Sequence, residues 1–131
     1  MVVRAGTLLH LPSSEDVVAL FEKVAARLER GGKLVLTYRD LSAELIELDR
    51  FIPVRSDPDV VFTCFLEYEP ETVKVHDVVY QLTDGGWCFY KSFYRKLRLT
   101  KAWVDAALEN AGLTLVTSTA EQGLVTTIAT R

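Results

Sequence analysis

Side chains with reactive potential are few and scattered along this chain. Cys64 and Cys88 each stand alone inside a strand-like run. They form no CxxC pair, and two thiols without helpers make no metal site, so two buried, reduced thiols are expected. His10 stands just before a helix start, where an imidazole can serve as an acid–base group or simply cap and pack. Arg39 and Asp40 are adjacent and opposite in charge; they can hold a polar ligand, or pair with each other or with solvent. Tyr94 and Arg95 belong to KSFYRKLR, in which aromatics alternate with cations as in a nucleic-acid patch. On a strand, however, Lys91, Phe93 and Arg95 share one face and Ser92, Tyr94 and Lys96 the other. That split leaves no single basic stripe, and no nucleic-acid partner is expected. No catalytic triad, carboxylate pair or metal cluster is visible, and no metal is expected.

The totals narrow the classes further. The 131 residues fit one domain with a real core. The formal net charge of −3 gives no general attraction to nucleic acid or an anionic membrane. No apolar run is long enough to cross a bilayer, and no charged-then-apolar leader is present, so no membrane partner and a cytoplasmic location are expected.

The elements that must position these residues read as α/β. Met1 to Arg4 has the pattern of a short strand. Pro12, Ser13 and Ser14 announce a helix over 14–30, with Glu15 and Asp16 at the positive end of its dipole. Val17, Leu20, Phe21, Val24 and Leu28 recur at three- and four-residue steps and make one apolar face. Gly31 and Gly32 are expected to stop the helix. KLVLTY, 33–38, reads as a strand covered on both faces. Then the character changes. PVRSDP, 53–58, is the most loop-like stretch. FTCFLEY, VKVHDVVYQL and WCFYKSFYRKL follow as three strand-like runs, separated by the turn-rich EPET and TDGG. They predict an antiparallel meander of three strands. Thr100 caps a second helix with Trp103, Ala107, Leu108 and Ala111 on its core face, and Gly112 ends it. LTLVTST and LVTTIAT, joined by AEQG, predict a terminal hairpin.

The order of GTLLHLP, LERGGKLVLTYRD, a meander, YRKLRLT, a helix, AG and a hairpin resembles the second half of a class I methyltransferase that uses S-adenosylmethionine. More narrowly, it is similar to small-molecule methyltransferases of the glycine N-methyltransferase-like type. The resemblance covers essentially the whole chain. It implies a partial Rossmann-like sheet, the last four strands of the family, with the three-stranded meander inserted. It divides one partial domain, 1–131, into a strand–helix–strand over 1–40, an insert over 60–98, and a helix with the terminal hairpin over 100–131. In that family the first half builds most of the cofactor site, with a Gly-rich turn after the first strand. Nothing here matches that turn. The resemblance therefore implies a chain that starts at the family's fourth strand, as a piece of a longer enzyme or a truncated gene product.

Residue roles follow from the resemblance alone. Gly6, Thr7 and Leu8, then His10 and Leu11, would line the methionine side of S-adenosylmethionine. Arg39 and Asp40, at the carboxyl end of a parallel strand, and Tyr94 and Arg95, at the end of the meander, would face one cleft and hold a small-molecule methyl acceptor. The implied function is a fragment of a methyltransferase, inactive alone, with weak or absent cofactor binding. The alternative is a non-catalytic binding or dimerisation module built on the same half-fold. A homodimer is expected in either case. Its first-ranked interface is the N-terminal strand, with Val2 and Val3 guarded only by Arg4, or the apolar surface beside it, where Phe21 and Val24 would lack cover. The meander ranks second.

Overall fold

The computed structural model describes the backbone of residues 1–3 and 5–131 and the side chains of residue 1 and residues 7–131. The expectations placed on Arg4 and on the side chains of Val2 and Val3 lie outside the described residues. The chain forms two compact units, residues 1–43 with 97–131 and residues 44–96.

The first unit contains a four-stranded sheet in the order β1 (Val2–Val3), β2 (Lys33–Arg39), β8 (Leu124–Thr130) and β7 (Thr114–Glu121). β1 runs parallel to β2, whereas β8 is antiparallel to both β2 and β7. These are the four strands read from the sequence, and they are contiguous. Between β1 and β2 lie a single helical turn, α1 (Ala5–Leu8), where an open turn was expected, and the longer α2 (Ser14–Arg27). Ser13 caps α2, its side chain accepting from the Asp16 N–H at 3.3 Å. The helix stops at Arg27, earlier than expected. Leu28 is already extended and its N–H reaches back to Val24 O at 2.9 Å. Of the two glycines, only Gly31 takes the left-handed region, at φ 83°, in the turn into β2.

One face of this sheet carries the core. Leu34, Leu36 and Tyr38 on β2 stand in register with Ala129, Thr127 and Val125 on β8, and all six are buried. Val17, Phe21 and Val24 of α2 and Val104, Ala107 and Leu108 of α3 (Lys101–Asn110) are buried with them. Phe21 and Val24, expected to lack cover, are thus fully enclosed, because the helix face that carries them meets the sheet. β2 corrects a second expectation. Its burial alternates strictly, and Val35 and Thr37 are only half-buried, so it is not enclosed on both faces. Val104 joins the core face of α3, while Trp103 and Ala111 pack at its margin. The β7–β8 hairpin turns on Gln122 and Gly123, at φ 50° and 80°, the two left-handed positions of a tight hairpin turn.

The second unit is a four-stranded sheet in the order β3 (Phe51–Ser56), β4 (Val60–Tyr68), β5 (Thr72–Thr83) and β6 (Gly86–Leu97). The expected meander therefore has a fourth strand, laid down by the stretch that read as loop. Pro53 lacks an N–H, but β3 is an edge strand and needs only one side of its ladder. The register shifts between Pro53 and Arg55, a bulge that lets the proline fit. Asp57 closes the β3–β4 turn, its side chain accepting from the N–H groups of Asp59 and Val60, each at 2.9 Å.

Candidate functional site

The carboxyl end of β2 gathers several side-chain hydrogen bonds. Arg39 and Asp40 do not turn to each other. Arg39 donates to Gln122 O at 3.2 Å, and Asp40 accepts from three donors. Its Oδ1 takes the Ser42 N–H at 2.9 Å and the Ser42 hydroxyl, while its Oδ2 takes the Lys101 N–H at 3.1 Å. Burial would raise this carboxyl, but the Ser42 and Lys101 hydrogen bonds outweigh it and hold Asp40 below the usual carboxylate range. Lys101 opens α3, so Asp40 ties the end of β2 to a helix N-terminus. Arg98 completes the clamp by donating to the carbonyls of Leu41 and Ser42, at 3.2 and 3.0 Å.

Beneath this clamp lies Tyr38. Its ring is buried and its hydroxyl has no hydrogen-bond partner. Burial first, then the charges of Asp105 and Asp40, push its pKa far upward, so it stays a neutral phenol. Asp105 is occupied elsewhere, by Lys101 Nζ at 2.7 Å and the Ser118 hydroxyl at 2.8 Å.

The segment expected to line a cofactor is arranged unevenly. Leu8 has no exposed surface and belongs to the core. Thr7 and His10 are exposed and Leu11 is half-buried. Leu9 O accepts the Leu97 N–H at 2.8 Å, which fixes the segment in place. Thr7 brings a hydroxyl, His10 an imidazole and Leu11 an apolar side chain to this segment. They offer no acid for ribose hydroxyls. Among the described residues, no cluster of three or more His, Cys, Asp or Glu side chains is poised for a metal.

Tyr94 and Arg95 do not face one cleft. They are consecutive residues of β6, and a strand sends consecutive side chains to opposite faces. Arg95 donates to Glu69 Oε1 at 2.8 Å, with its guanidinium 5.5 Å from the Phe93 ring. Tyr94 lies on the other face with Cys64 and Asp77, and burial first, then those two groups, raises its pKa. The thiols are half-buried rather than enclosed. Cys64 donates to Asp77 Oδ1 at 3.2 Å, and burial together with that carboxylate pushes it up to about 11.

The sequence reading missed a hollow in the second unit. About 760 Å³ in volume, it opens on one face of the sheet and is lined by Phe51, Phe65, His76, Phe89, Lys91 and Phe93 among others. Three cations lean on its rings: Arg50 at 5.0 Å from Phe65, and Lys74 at 4.1 Å and Arg95 at 5.5 Å from Phe93. Its signal was the alternation Trp87, Phe89, Lys91, Phe93, Arg95, which places all five on one face.

No family model matches the chain, and no curated protein matches it. Solved structures do. The CcbJ methyltransferase from Streptomyces caelestis aligns over 98% of this chain and 55% of its own, with 20% identity and a TM-score of 0.81. A SAM-bound amino pentose methyltransferase from Micromonospora echinaspora aligns over 99% and 57%, with 18% identity and a TM-score of 0.80. An S-adenosylmethionine-dependent methyltransferase from Clostridium acetobutylicum aligns over 98% and 56%, with 13% identity and a TM-score of 0.79. The chain spans little more than half the length of these neighbours. Over nearly all of its residues, it has the fold of part of an S-adenosylmethionine-dependent methyltransferase.

Proposed function

We propose that this chain is the C-terminal half of an S-adenosylmethionine-dependent methyltransferase of the glycine N-methyltransferase-like type, acting on a small molecule. One observation carries the reading. The sheet order β1-β2-β8-β7, with only its first pair parallel, aligns almost end to end with part of such an enzyme. The cofactor of such an enzyme supplies a methyl group activated on sulfonium. Thr7, His10 and Leu11 are the residues of this chain suited to stand beside it, with Gly6 as a backbone contact. Methyl transfer needs mainly alignment and a dry cleft, which accords with a chain rich in clamps and poor in acid–base groups. Arg39 remains the acceptor-side candidate at the end of β2. Asp40 serves it indirectly, by fixing the 40–42 turn. A neighbour that methylates an amino pentose makes an amino sugar the acceptor class to try first.

The site offered here is one wall, so the chain alone should be inactive and bind cofactor weakly. Calorimetry with S-adenosylmethionine and S-adenosylhomocysteine tests this. The expected Kd is weaker than about 10 μM, roughly −7 kcal/mol; tighter binding, or turnover of an amino sugar, refutes the one-wall reading. The exposed aromatic face of the second unit favours a second reading, a non-catalytic binding or dimerisation module on the same half-fold.

A further inference from the structure

Strand register frames the hollow of the second sheet. Phe51, Phe65, His76 and Phe93 stand side by side on β3, β4, β5 and β6, with successive ring centroids 4.7, 5.7 and 6.0 Å apart. A second aromatic row lies further along the same face, where Tyr80 meets Phe89 at 4.9 Å. Side chains of one face recur at every second residue, so a single row separates these two, which stand about 13 Å apart along the strands. That middle row is short, because Thr63 pairs there with Val78. The hollow is the space that these short side chains leave between two rows of rings. Its volume, about 760 Å³, falls among those of small-molecule sites, about 300–1,000 Å³.

We propose that this hollow binds a small planar aromatic anion. Its one or two fused rings lie over Val78 between the aromatic rows, and its anionic group meets the Lys91 ammonium. The site is built wholly within the second unit, so the proposal does not rest on the methyltransferase reading. Shape is its first support. Aromatic rings prefer offset or edge-to-face neighbours with centroids about 4.5–7 Å apart. The tilted rings of the first row already keep that spacing among themselves, and Phe51, Phe89 and Phe93 are each about half exposed, so each still has ring surface to offer a guest.

Charge is the second support, and it sets the sign of the guest. Among the described residues that line the hollow there is no carboxylate, and Lys91 alone carries a permanent charge. Around it, Lys74 Nζ lies 4.1 Å from the Phe93 centroid and the Arg95 guanidinium 5.5 Å. The acids nearby are engaged: Glu69 accepts from Arg95 at 2.8 Å, and Glu67 stands 3.3 Å from His76. Three cations thus answer two carboxylates, and the excess faces the hollow at Lys91. An anion on the guest gains from that excess, a cation is repelled, and a neutral ring has stacking alone. S-adenosylhomocysteine, a zwitterion, brings an ammonium with its carboxylate and forfeits the advantage. Because Lys91 is exposed, solvent screens its charge, and the preference for an anion is modest rather than absolute.

Three probes with one ring system test this on the whole nitrogen-15-labelled chain: naphthalene-2-sulfonate, the neutral 2-naphthylmethanol and the cationic 2-naphthylmethylammonium. The sulfonate should bind with a Kd below about 1 mM and shift the amides of His76, Val78, Lys91 and Phe93. The alcohol should bind about five-fold more weakly, and the ammonium more weakly still. Lys91→Gln should erase the sulfonate's advantage over the alcohol. Val78→Phe, which fills the middle row, should weaken the sulfonate at least ten-fold. Should either variant fail to fold by circular dichroism, the order of the three probes on the wild-type chain decides. Equal affinity for all three, no shift up to about 5 mM sulfonate, or the same shifts from inorganic sulfate alone overturns the proposal. So does a sulfonate affinity unchanged by Lys91→Gln in a folded chain. A face that takes phosphatidylglycerol vesicles but not the sulfonate, or that a second copy covers so that the sulfonate is shut out, overturns it as well.

Discussion

Asp40→Ala separates a clamp from a substrate contact. The carboxylate accepts from the first N–H of α3 and from the backbone and hydroxyl of Ser42. Losing a side-chain acceptor at a helix start costs about 1 kcal/mol. The favourable charge at the helix N-terminus adds about 0.5 kcal/mol, discounted because Asp40 is partly exposed and screened. The turn bond to Ser42 adds roughly another 0.5 kcal/mol. The total is about 2 kcal/mol. With an unfolding entropy of about 2.1 cal/mol/K per residue, that lowers Tm by about 7 °C for a chain of 131 residues. Differential scanning calorimetry at pH 7 measures it. The sign with pH is also determined. Asp40 has a lowered folded pKa, so its contribution is present above the unfolded value of about 4 and is lost as pH falls through the lower folded value. The gap between wild type and Asp40→Ala should be full at pH 7 and shrink in acid. A gap below about 0.5 kcal/mol at pH 7, or one that persists unchanged to pH 2, refutes the clamp and returns Asp40 to the acceptor side.

Three further outcomes follow from the same geometry. Tyr38→Phe removes a buried hydroxyl that has no partner, so it should be neutral or stabilise by up to about 1 kcal/mol in denaturant titration, whereas a lost hydrogen bond would destabilise. Phe21→Ala, at the centre of the core face of α2, should cost about 3–5 kcal/mol in the same assay; a cost under about 1 kcal/mol would mean that α2 is loosely seated. Cys64, pushed up to about 11, should alkylate with iodoacetamide at pH 8 more slowly than Cys88 by peptide mass spectrometry, and Asp77→Ala should speed it.

Local pattern carried much of the fold. Ser13 followed by acids and a spaced apolar face specified α2, and the alternation of LVTTIAT, with Gln122–Gly123 before it, specified the terminal hairpin. What failed depended on partners distant in sequence. Pro53 reads as loop until β4 supplies a neighbour that asks nothing of its missing N–H. Asp40 reads as a contact for a polar ligand, or a partner of Arg39 or solvent, until the chain brings back Lys101, 61 residues later. Tyr94 and Arg95 were legible by strand period but were assigned to one cleft by family analogy, which the period of two contradicts. Leu8 was placed on a wall by the same analogy, whereas the short helix α1 turns it into the core.

The most direct measurement is a titration of the nitrogen-15-labelled chain with S-adenosylhomocysteine, followed by amide chemical shifts up to millimolar ligand. Shifts confined to the neighbourhood of Gly6, Thr7, His10 and Leu11, saturating with a Kd weaker than about 10 μM, are expected. Saturation tighter than about 10 μM, or shifts centred instead on the aromatic face of the second sheet, would contradict the account.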